Sequence, residues 1–151
     1  MKKFLSGIFL LMALGLSFTA CSDDDDENIN HDATPEIATA GTYTGTWTRT
    51  NVSEGTATTA TGTLTFESTG TPYVTKVSAK CEEFGIDKQC VANIAWVAND
   101  CLYNNMRATN DFGTTFSGKI TAGSVAEIAY RLTEREGRTT YIYDYTFEGT
   151  K

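Results

Sequence analysis

The chain has almost none of the residue on which acid–base catalysis most often rests. Its 151 residues include one His, His31, which precedes every patterned segment. A Ser or Cys nucleophile in the folded part therefore has no His to activate it, and a His-rich metal site is excluded with it. Basic charge is scarce as well: 12 Lys and Arg stand against 19 Asp and Glu, a net charge of −7. That balance disfavours electrostatic binding of nucleic acid. Only 2 prolines interrupt the chain, against 13 glycines. No convincing ten-residue helix separates the candidate strands, which argues against a parallel sheet built on helical crossovers. The length suits one domain with one core, and a two-domain enzyme is ruled out by size.

What is present begins with an address. Lys2 and Lys3 precede an apolar run from Phe4 to Leu16, the layout of a secretory signal peptide and too short for a comfortable membrane span. The alternative, an anchor helix kept in the mature protein, fits poorly with the Cys and acidic run that follow at once. Phe18-Thr19-Ala20-Cys21 resembles the lipobox of bacterial lipoproteins. The resemblance implies removal of residues 1–20 and acylation of Cys21, so that the chain meets a membrane through lipid. Ser22-Asp23-Asp24-Asp25-Asp26-Glu27 repels itself and stays extended. A Ser and an acidic run straight after the lipidated Cys also resemble the surface-export signal of Bacteroides-type lipoproteins. That implies an outer-membrane protein, displayed at the cell surface, with residues 21–40 as a disordered tether. The segment from Gly41 to Lys151 is close to neutral, and its charge points to no particular partner.

From Gly41 onward, residues alternate at period two and turn residues recur at short intervals. Tyr43, Gly45 and Trp47 share one face, with Thr42, Thr44, Thr46 and Thr48 on the other. Further strands are predicted at 57–67, 72–80, 90–98, 101–105, 113–119, 124–133 and 139–148. The segment 73–84 also fits a helical spacing, through Val74, Val77, Cys81 and Phe84, and is read as strand. The predicted fold is all-β: one antiparallel up-and-down meander of about eight strands, closed into a barrel that removes its edges.

Gly45-Thr46-Trp47 is similar to the Gly-x-Trp signature of lipocalins, whose Trp plugs one end of the barrel. Gly41 to Gly45 and Phe147 to Lys151 resemble the ends of the calycin-like barrel domain found in Bacteroides-type lipoproteins. The resemblance implies a calycin-like barrel over residues 41–151 and assigns it no established activity.

Cys21 being spoken for, Cys81, Cys90 and Cys101 belong to the domain. A four-residue loop at Phe84 to Asp87 would set Cys81 opposite Cys90, near disulfide reach, and leave Cys101 free. The alternative is three reduced thiols acting as small hydrophobes. Their spacing lacks any Cys-x₂-Cys, so neither a zinc site nor any other cofactor is expected. Glu82 and Glu83 are neighbours in a strand and point apart, which gives no convergent carboxylate pair. Arg131, Arg135 and Arg138 read as a solvated edge.

The candidate site is aromatic. Tyr43, Trp96, Tyr130, Tyr141, Tyr143 and Tyr145 are the expected contacts for a small hydrophobic or amphipathic ligand held without catalysis, with Tyr143 and Tyr145 foremost. Trp47 is expected to be structural. Capture inside the barrel needs small inward residues, for which Gly45, Gly62 and Ala95 are candidates. The rival expectation is a filled barrel that binds a protein partner through loops such as Asn104 to Asp111.

Overall fold

A computed structural model describes residues 32–106, 110–113 and 116–151 of the chain. Cys21, His31 and the acidic run lie outside the described residues. Eight antiparallel strands follow one another around a closed up-and-down barrel. They are β1 (Gly41–Asn51), β2 (Thr56–Ser68), β3 (Val74–Cys81), β4 (Ile86–Val97), β5 (Asp100–Asn105), β6 (Phe116–Thr121), β7 (Val125–Glu136) and β8 (Thr139–Thr150). β1 pairs with β2 on one side and with β8 on the other, so every strand has two neighbours.

Alternation decides which residues enter the core. On β1 the inward set is Tyr43, Gly45, Trp47, Arg49 and Asn51, with threonines facing out. β3 is a strand by the same rule: Thr75, Val77, Ala79 and Cys81 are buried, and the residues between them are more exposed. The helical spacing seen in 73–84 was a coincidence of apolar positions that the period-two burial overrides.

The four-residue helix α1 (Pro35–Ala38) closes one end of the barrel, the base. Pro35–Ala38, predicted as part of a disordered tether, are therefore helical. Thr34 caps α1 with Pro35 at its first position. Trp96 Nε1 donates to the Ala33 carbonyl at 3.3 Å, and Tyr43 donates its hydroxyl to the Thr39 carbonyl at 3.0 Å. The Glu36 carboxylate is buried and accepts the Tyr73 N–H at 3.0 Å. A helix this short is held by such tertiary bonds, not by its own propensity.

The expected Cys81–Cys90 disulfide is absent; Cys81, Cys90 and Cys101 are free thiols. The β3–β4 turn spans 82–85 and ends on Gly85 in the left-handed region at φ 62°. Cys81 consequently faces Ile86, and Cys90 faces Val77. Four residues of strand separate the two thiols, about 13 Å, far beyond disulfide reach. Cys101 pairs with Trp96, because the β4–β5 turn is centred on Ala98 (φ 54°) and Asn99.

Candidate functional site at the barrel mouth

The connections β1–β2, β3–β4, β5–β6 and β7–β8 gather at the end opposite α1, and this end is the mouth. Beneath it the interior is solid. Tyr43 meets Phe66 edge-on at 5.6 Å, and Phe66 meets Tyr103 at 4.9 Å. Trp47 is fully buried, 5.0 Å from Phe147 and 6.1 Å from Tyr130. Phe112, on the long β5–β6 connection, is fully buried and packs at 5.1 Å against both Phe116 and Tyr130. It fills the axis just below the mouth.

Gly45 and Gly62 do face inward, and neither leaves a void. A Cβ on Gly62 would stand 2.5 Å from Trp47 Cδ1. A Cβ on Gly45 would strike the β8 backbone at Glu148. Ala95 is exposed on the outer wall. The small residues make room for the Trp47 ring and for strand approach.

The six expected contacts therefore separate into three groups. Tyr43 is buried at the base. Its hydroxyl bonds the Thr39 and Gly123 carbonyls, and burial, followed by the nearby Cys101, pushes its pKa up to about 12. Trp96 also sits at the base, against the α1 segment. Tyr130, Tyr141, Tyr143 and Tyr145 all point inward at the mouth end, on β7 and β8. Tyr130 and Tyr145 are buried and stack at 5.0 Å with their planes 8° apart. Tyr141 and Tyr143 are half-buried and stack at 6.1 Å, which leaves them as the reachable rings.

Two charged residues that the sequence reading passed over organise this end. Arg49 and Glu134 both occupy inward positions, and Arg49 Nη2 donates to Glu134 Oε2 at 3.1 Å. The guanidinium lies 3.8 Å from the centroid of the Tyr143 ring. Tyr145 donates its hydroxyl to Glu134 Oε1 at 2.6 Å. Burial, and then this bond to a carboxylate, push the Tyr145 hydroxyl pKa well up. Burial does the same for Tyr130, with the Tyr145 hydroxyl and Glu134 adding to it. Arg49 Nε and the Tyr130 hydroxyl are both buried without a protein partner among the described residues. The parity of β1, with Arg49 two residues beyond Trp47, carried the signal that would have found Arg49.

Chemically, this end presents two tyrosine rings, a stacked guanidinium and a carboxylate that is already hydrogen-bonded. Among the described residues no group of three or more His, Cys, Asp and Glu side chains is placed to hold a metal ion. No family model, no curated protein and no solved structure matches this chain.

Proposed function

We propose that the protein is a lipid-anchored, non-catalytic binding module displayed at the cell surface, which holds a small amphipathic molecule at the barrel mouth. The anchor rests on the lipobox-like Thr19-Ala20-Cys21 and the acidic run after it. The observation that carries the binding reading is Arg49, turned into the barrel and stacked on Tyr143 at the open end. A solvated arginine on the outer wall would have cost less to place. The solid interior supports a ligand seated on Tyr141, Tyr143 and Arg49, in preference to one enclosed in the lumen.

A protein partner is the second reading, and the same solid interior favours it. Val52, Ile142 and Met106 are exposed apolar side chains toward the mouth end, and the Val52 N–H bonds the Ile142 carbonyl at 2.9 Å. The deciding experiment is native mass spectrometry of the full lipidated chain, released from detergent after exposure to total lipid and metabolite extracts. A bound small mass that Arg49→Met and Tyr143→Ala both lose supports the mouth ligand. A chain that carries and takes up nothing overturns it and leaves the protein partner.

A further inference from the structure

The two ends of the barrel differ in charge. Every connection at the mouth carries a charged residue: Glu54, then Glu82 and Glu83, then Asp111, then Arg138. The connections at the base, 69–73, 98–99 and 122–124, carry none. The capping segment 33–40 holds one, Glu36, whose buried carboxylate accepts the Tyr73 N–H. Asp32 and Lys151 border this end. On the adjoining wall Glu67 is paired with Lys76 at 3.0 Å, and the Asp100 carboxylate accepts the Ala122 N–H at 3.3 Å. What the base exposes is apolar. Ile37 of α1, Tyr73 before β3, Val97 at the end of β4 and Leu102 near the start of β5 are 44–59% exposed.

These four residues lie on one side of the base. The Ile94 N–H donates to the Tyr73 carbonyl at 3.0 Å, which lays the β2–β3 connection beside β4. Val97 pairs with Asp100 and Ala95 with Leu102, so Val97 and Leu102 are diagonal neighbours across the β4–β5 seam. α1 is fastened to the same side twice, through Glu36 to Tyr73 and through the Ala33 carbonyl to Trp96, next to Val97. Tyr73 takes φ 62°, in the region that favours glycine. Its ring is nevertheless exposed, so burial does not repay that conformation.

We propose that this face of the base rests on the lipid bilayer, with Ile37, Tyr73 and Val97 in the headgroup region and the mouth turned away from the membrane. The inference rests on the acylation of Cys21 proposed above. Eleven residues lead from Cys21 to Asp32, and they join the barrel at its base. Fully extended, they span at most about 40 Å, so the anchor holds this end at high effective concentration against the bilayer. Entry there strands few charges, and a tyrosine ring suits the membrane–water boundary. A second copy of the chain is the competing occupant. A stable protein interface buries about 800 Å² per partner, which four half-exposed side chains do not supply.

The test uses the full lipidated chain in vesicles of phosphatidylethanolamine and phosphatidylglycerol. Spin labels are attached at Ile37→Cys, Tyr73→Cys and Val97→Cys, and at Ile142→Cys as the mouth reference. The unsubstituted chain, treated in parallel, sets the background from Cys81, Cys90 and Cys101. Each label is probed with dissolved oxygen, which enters lipid, and with a nickel chelate, which stays in water. The oxygen-to-nickel collision ratio is expected to be severalfold higher at 37, 73 and 97 than at 142. Labels at the base as open to nickel as the one at 142 would overturn the proposal. Labels shielded from both reagents would overturn it too, because protein then covers the face. Co-flotation with the vesicles separates the two readings. A chain that floats with its base labels in water keeps the anchor and loses the docking, and a chain that does not float loses both.

Discussion

Arg49 and Glu134 meet across the mouth of the barrel, one from β1 and one from β7, at 3.1 Å, with side chains 26% and 34% exposed. The guanidinium also covers the Tyr143 ring. Partial shielding makes this pair worth more than an open surface bridge. Arg49→Met is expected to cost about 1–2 kcal/mol, on the order of 4–8 °C in melting temperature. A double-mutant cycle with Glu134→Gln should return a coupling of about 1 kcal/mol. A coupling of zero would mean the two groups are neighbours without mutual stabilisation.

The buried hydroxyls make opposite predictions. Tyr43 donates to two carbonyls, so Tyr43→Phe leaves acceptors unpaired at the base and should cost about 1–2 kcal/mol. The Tyr130 hydroxyl is buried without a partner, so Tyr130→Phe should leave stability unchanged or raise it slightly. Denaturant titration of both variants checks the contrast; a large loss in Tyr130→Phe would reveal a partner for that hydroxyl.

Acid should loosen the base. Burial works against the ionised Glu36 carboxylate, but hydrogen bonds from Thr34 and from backbone N–H groups outweigh it and hold the pKa below the usual value. A lowered folded pKa means the stabilisation is present above the unfolded value and is lost as pH falls through the folded one. Glu36→Gln should therefore lower the melting temperature at neutral pH and make progressively less difference below about pH 4.5. A difference that stays constant with pH would remove the carboxylate from the account.

Two of the thiols should be inert. Burial, with Asp111 second, pushes Cys90 up to about 12, and burial, with Asp100 second, does the same for Cys101. At pH 8 both are protonated and poor nucleophiles. Alkylation of Cys90 and Cys101 is expected to track global unfolding, and the intact mass without reductant should show no Cys81–Cys90 bridge. Fast native labelling at either site would indicate local opening of β4 or β5.

Glycine substitutions separate two kinds of constraint. Gly62→Ala drives a methyl against Trp47 and the Lys80 carbonyl, and it should cost about 3 kcal/mol or prevent folding. Gly85→Ala meets nothing within 4 Å and carries only the penalty of a left-handed turn at φ 62°, about 1 kcal/mol. Equal losses would contradict the packing role of Gly62.

The barrel was legible because threonine, aromatic and glycine positions alternate cleanly from Gly41 to Thr150. The parity of Tyr43 and Trp47 alone identifies the inward face of β1. The pairing of β3 with β4 was not legible, since Phe84-Gly85-Ile86-Asp87 and Glu82-Glu83-Phe84-Gly85 are both plausible turns. Placing Gly85 last in the turn, in the left-handed region, shifts the register and separates the two thiols. α1 could not be read, because one helical turn has no period and exists through bonds to Tyr73 and Trp96, distant in sequence. Of the candidate site, the mouth tyrosines were visible from their alternation on β8. The filling of the lumen was not, because it depends on Phe112 reaching the axis from a connection with no strand pattern.

The seams of the barrel are unequal. β7 and β8 stay paired from Val125–Thr150 to Glu136–Thr139, whereas β5 and β6 are joined only from Asp100–Thr121 to Asn104–Ser117. The wall is thus a long ribbon closed by a short clasp, and amide exchange should begin at that clasp and reach the ribbon last.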